Sequence, residues 1–127
     1  MEELKKLKYS LILPALFIFL LWIIKAFEYV NQVDYYQYGV FPRTISGLTG
    51  ILLSPLIHSD LNHLISNSIP LFILFTGLIY FYRSIAYRVI FFVWILSGIC
   101  VWIAARDSYH IGASGLIYGI AAFLFLS

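Results

Sequence analysis

The stretch Leu61-Asn-His63-Leu-Ile-Ser-Asn67-Ser-Ile-Pro70-Leu-Phe-Ile-Leu-Phe-Thr-Gly-Leu-Ile-Tyr-Phe-Tyr82 decides what kind of molecule this is. Beyond Pro70 it is almost unbroken apolar sequence, and a helix of about 20 such residues spans the hydrocarbon core of a bilayer. Ahead of Pro70 it carries His63 and Asn67, four residues apart, which a helix stacks on one face a turn from each other. Strongly polar side chains inside a span are costly and are functional candidates for that reason. The stretch reads as a membrane helix with a polar end.

Composition extends that reading to the whole chain. Of 127 residues 62% are hydrophobic and 11% charged, where soluble proteins carry about 25% charged residues. Mean hydropathy is +0.93. The expected fold is a single all-α domain over residues 1–127, a polytopic transmembrane helix bundle in a lipid bilayer. A net charge of +2 without clustering excludes a nucleic-acid partner. The lone cysteine, Cys100, has no intramolecular partner and reads as a small buried hydrophobe.

Working outward, further spans are expected at about residues 10–29, 85–105 and 115–127, beside the one at about 61–82. The first follows a basic start, as in a signal peptide, but has no small-residue cleavage site and is read as retained. Lys25 at its end can snorkel to the interface and pair with Glu28. Residues 30–60 form a connection well above usual loop length. Tyr35, Tyr36, Tyr38, Gly39, Pro42, Gly47 and Gly50 punctuate apolar residues there. That pattern predicts an ordered loop, dipped into the interface and rich in short helical turns. The fourth span, of about 13 residues, is too short to cross at 1.5 Å per residue, so the domain is expected to be C-terminally incomplete. Lys5, Lys6, Lys8, Arg83 and Arg88 on one side against Lys25, Arg43 and Arg106 on the other predict a cytoplasmic N-terminus.

The stretch His110-Ile-Gly112-Ala-Ser114-Gly115-Leu-Ile-Tyr118-Gly119 opens the fourth span. Ser114 lies between glycines at a helix start, where backbone N–H groups are free beside its hydroxyl. In this topology His63 and Asn67 lie at the same depth. Acyl transfer needs a nucleophile and donors aimed at the developing oxyanion; Ser114 supplies the first, and its own N–H, His63 and Asn67 can supply the second. The competing reading makes His63 and Asn67 interhelical glue and Gly115-x-x-x-Gly119 a helix-packing motif. His58 is expected to anchor the first loop by hydrogen bonds. A metal site from His58, Asp60, His63 and His110 matches no zinc spacing. Arg106 and Asp107 read as a solvated loop pair, and Trp22, Trp94 and Trp102 as packing or interfacial anchors.

Three features in order make the chain resemble the rhomboid intramembrane serine proteases. They are a long loop after the first span, His58 with His63-x-x-x-Asn67 opening the second, and Gly112-Ala113-Ser114-Gly115 opening the fourth. The loop run from Phe41-Pro42-Arg43 through Gly50-Ile51-Leu52 to Pro55-Leu56-Ile57-His58 also resembles bacterial members. The resemblance implies a partial six-helix rhomboid core in a bacterial cell membrane and hydrolysis of transmembrane protein substrates. It implies Ser114 as nucleophile, His63 and Asn67 with the Ser114 N–H as oxyanion hole, and His58 as a structural hydrogen-bonder. Gly112 and Gly115 would flank the serine, and Tyr118 would match an aromatic ring that stacks on the catalytic histidine. No cofactor and no metal are implied. The family takes its general base from a histidine of the sixth span, which this sequence does not reach, so the chain alone is expected to be silent. The alternative is a non-catalytic rhomboid-like membrane protein that binds transmembrane segments.

Overall fold

The computed structural model describes all 127 residues and is helical, with no strands beyond an isolated bridge between Val40 and His110. Helix α1 covers Glu2–Asn31, α2 Gly50–Leu53, α3 Leu61–Phe81, α4 Ala86–Ala104 and α5 Ser114–Leu126. Helices α1, α3 and α4 are each long and apolar enough to cross a membrane. The first helix begins at Glu2, so the charged start is its opening turns rather than a separate flank. At 1.5 Å per residue its 30 residues reach about 45 Å, longer than the hydrocarbon thickness. Only 24 of 127 residues are buried, while Phe19, Ile69, Ile73, Phe91 and Phe125 are among the large apolar side chains left outside. Water would not tolerate that surface; lipid does.

Helix α3 is the organiser. Its buried positions Leu64, Asn67, Leu71, Phe75 and Leu78 fall on one face at helical spacing. That face meets α1 on one side and α5 on the other. Leu71, Phe75, Leu78 and Ile79 join Ala86 of α4 and Ala113, Leu116 and Ile120 of the α5 region in one core. Asn67 is the only polar member of the stripe, so the core ends in polar chemistry at the start of α3. Helix α5 crosses α4 closely: a Cβ at Gly119 would stand 2.3 Å from Val93 Cγ1, and one at Gly115 would stand 3.2 Å from Ser97. The paired glycines of α5 therefore do serve packing, against α4.

The connection between α1 and α3 is folded against α4 and the 105–113 turn. It contains 3-10 turns at Tyr36–Tyr38, Ser46–Thr49 and Ser54–Leu56 around α2. Gly50 lies on the backbone of Gly39 and Val40, where an added Cβ would meet atoms at 2.1–2.2 Å; only glycine permits that approach. Two tryptophans of α4 point into this layer. Trp94 Nε1 donates to the Leu52 carbonyl at 3.1 Å and Trp102 Nε1 to the Thr44 carbonyl at 2.8 Å. Trp22 of α1 donates to Ser68 Oγ of α3 at 3.1 Å. The indoles thus tie protein to protein, a more specific role than interfacial anchoring.

Two expectations are corrected. Arg106 and Asp107 do not pair: Asp107 binds Arg43 of the first loop, and the Arg106 carbonyl lies 2.9 Å from His110 Nε2. The loop offers Asp107 a guanidinium that sequence proximity alone does not. Cys100 is exposed on α4 rather than buried, because α4 buries only Ala86 and Gly98 and turns the rest of its surface partly or wholly outward.

Candidate functional site

The polar end of α3 is built by a helix cap. Asp60 is the N-cap residue, and its carboxylate accepts the His63 backbone N–H at 2.8 Å. This satisfies one of the donors a helix start leaves free and fixes His63 in the first turn. Asn67 follows one turn later on the buried side. His58 lies in the segment just ahead of the cap and is 2% exposed.

The opposite wall is the start of α5. Gly112 adopts a φ of +106°, a conformation L side chains rarely take. A Cβ there would stand 2.8 Å from His63 Nε2, 2.7 Å from His63 Cε1 and 3.7 Å from Asn67 Nδ2. The glycine therefore lets its own backbone press directly onto His63, with Asn67 beside it. Its own N–H donates to the Ser54 carbonyl at 2.9 Å, holding the turn from behind. Ser114 opens α5, where backbone N–H groups lack intrahelical acceptors.

His58 joins the two walls. Its Nε2 receives the Asn67 Nδ2 donor at 3.0 Å and the Ala113 backbone N–H at 3.3 Å. Both partners can only donate, so Nε2 is unprotonated and the ring's proton is on Nδ1. Nδ1 is buried without a partner. Burial first, then the His63 ring and the Lys25 ammonium, lower the His58 pKa from 6.5 to about 4. This histidine is a neutral acceptor. Its ring bonds run to α3 and to the start of α5, and its link to α1 is through its carbonyl, which accepts from Lys25 Nζ at 2.8 Å.

None of the three imidazoles hydrogen-bonds the Ser114 hydroxyl. His58 is committed as described, His63 Nδ1 lies 3.2 Å from Ser59 Oγ, and His110 Nε2 lies against the Arg106 carbonyl. A cavity of about 150 Å³ opens beside Ser114, with Ser54, Trp94, Ser97, Gly98 and Ile111 in its wall. That is room for a few waters or a small side chain. Tyr118, one turn along α5 on the Ser114 side, is 75% exposed. No three His, Cys, Asp or Glu side chains converge to a metal-binding group. Sequence reasoning passed over Ser54, Ser59 and the reach of Lys25 into this region; for Lys25 the signal was a cation at the end of an apolar span.

The geometry can be set beside known proteins. A family model for the rhomboid domain matches residues 46–127. An uncharacterized protein of Mycobacterium tuberculosis is 33% identical over 119 residues, covering 85% of this chain and 48% of its own length. One of Mycobacterium leprae is 30% identical over 119 residues, covering 85% and 45%. The chain thus spans about half the length of the curated relatives it matches. No solved structure matches it. The family match begins at the 3-10 turn before α2 and takes in the capped start of α3, all of α4 and the serine turn, which is the whole of the site except Lys25. On that match, and with a bundle of apolar helices around it, the chain belongs to the rhomboid family.

Proposed function

We propose that these residues form the nucleophile and oxyanion-binding part of an intramembrane serine endopeptidase that cleaves transmembrane protein substrates. The observation that carries the reading is the seating of Gly112 on His63 and Asn67, with Ser114 two residues on. A substrate carbonyl attacked by Ser114 Oγ develops negative charge beside the helix start. The Ser114 N–H, His63 Nε2–H and the second Asn67 Nδ2 proton are the donors for that charge. Such donors act strongly because they are fixed before reaction and lie in a partly dehydrated site.

The same reading requires a base from outside these 127 residues. His58 is a neutral acceptor occupied by two donors, and His63 cannot serve both as oxyanion donor and as proton acceptor. Without a base, a serine hydroxyl is a poor nucleophile at neutral pH. In this reading Tyr118, exposed on α5, packs on that incoming imidazole. A fluorophosphonate probe tests the proposal. The 127-residue chain alone should leave Ser114 unlabelled. A longer protein in which further rhomboid-type helices bring a base histidine to Ser114 should label, and its Ser114→Ala variant should not. Absence of labelling in the longer folded protein would favour a scaffold that binds transmembrane segments without cutting them.

A further inference from the structure

The two nitrogens of His63 face different surroundings. Nε2 faces the Gly112 backbone, while Nδ1 stands 3.2 Å from Ser59 Oγ. A neutral imidazole has one N–H, so whichever role the hydroxyl takes at Nδ1 decides what Nε2 offers the serine turn. A donating hydroxyl leaves Nε2–H as a donor. An accepting one makes Nε2 a bare lone pair, which would repel an oxyanion.

The Ser59 backbone is held from α1. Lys25 Nζ donates to the His58 carbonyl at 2.8 Å and to the Ser59 carbonyl at 3.1 Å, and its side chain is 16% exposed. Behind it stands Glu28, 4% exposed, with Oε1 4.0 Å from Nζ and Oε2 accepting the Tyr35 N–H at 3.1 Å. An ammonium spread over two carbonyls and a carboxylate is a fixed group rather than a snorkelling one. On the other side, Asp60 caps α3 through the His63 N–H. Residues 58–60 are therefore clamped at both ends, and Ser59 is the side chain between the clamps.

We propose that Lys25 and Ser59 are positioning residues for His63: Lys25 fixes the 58–59 backbone, and the Ser59 hydroxyl donates to Nδ1, holding the ring in its Nε2–H form toward Ser114. The inference rests on the oxyanion reading for its purpose but not for its test. Nitrogen-15 spectra of the imidazoles, taken on the whole chain in lipid nanodiscs at about pH 8.5, above the histidine range, report the ratio of the two ring forms directly. Wild type should be almost wholly Nε2–H at His63. Ser59→Ala should lower the Nε2–H to Nδ1–H ratio about fivefold, the preference one hydrogen bond confers, and Ser59→Thr should restore it. Lys25→Met should lower the ratio in the same direction, and Lys25→Arg, which can still donate to two carbonyls, should recover most of it. An Nδ1–H ring in wild type, or a ratio unmoved in folded Ser59→Ala, overturns the proposal. A ratio that moves as stated while Ser114 never reacts in the longer protein upholds the positioning device and sinks the protease reading instead.

Discussion

At the scale of single residues, His58 links the site to pH. Its Nε2 must be unprotonated to accept from Asn67 and Ala113, and protonation would turn an acceptor of two bonds into a third donor. Its pKa is lowered in the folded protein, from 6.5 to about 4, with His63 and Lys25 the facing cationic or cationisable groups. The sign follows from linkage: below 6.5 the unfolded chain takes up a proton that the folded one refuses. The stabilisation is complete above that value and is lost progressively as pH falls toward 4. A shift of this size corresponds to at most about 3 kcal/mol. Thermal unfolding followed by circular dichroism in detergent should show the midpoint dropping steeply between pH 6.5 and 4. In His58→Gln, whose amide oxygen accepts the same donors without titrating, at least half of that drop should vanish. An equal drop in both proteins would mean that other groups govern acid sensitivity. The sequence singles out His63, Asn67 and Ser114 as candidates through their spacing, but it could not reveal that one buried nitrogen joins two walls, because that depends on contact between stretches 55 residues apart.

Among elements, the first loop owes its course to α4. Hydropathy and turn residues were enough to predict the long helices and an ordered connection with short turns. They said nothing of where that connection lies, since its anchors are indole donors meeting backbone carbonyls about 40 to 60 residues away in sequence. The same gap misplaced Asp107, whose partner is in the loop. Near Arg43 the attachment is dense. The Arg43 N–H donates to the Trp102 carbonyl at 3.0 Å, its Nη1 to the Ile103 carbonyl at 3.0 Å, and its backbone holds a φ of 58°. A non-glycine residue keeps that conformation only where its surroundings impose it. Trp102→Phe preserves the ring surface but removes the N–H, leaving the Thr44 carbonyl short of its donor, at a cost of about 1–2 kcal/mol. Local opening should then rise about 5–30-fold, and trypsin should cut after Arg43 faster by a similar factor while helix content stays constant. An unchanged cleavage rate would show that the indole bond does not hold the loop.

Across the whole molecule, the candidate site lies at one end of the bundle, and the basic residues predict which side of the membrane that end meets. The start of α3, the serine turn and the first loop lie at one end; Lys5, Lys6, Lys8, Arg83 and Arg88 lie at the other. Basic residues are retained on the cytoplasmic side, which predicts that the start of α3 and the serine turn face the non-cytoplasmic side. Single cysteines in a Cys100→Ser background test it in intact cells, since Cys100 is itself exposed on α4. Gln37→Cys, in the exposed 3-10 turn of the loop, should react with a membrane-impermeant maleimide added outside. Ser84→Cys, in the turn between α3 and α4, should react only once the membrane is permeabilised. The reverse pattern would put Ser114 at the cytoplasmic face and overturn the orientation that the basic residues predict.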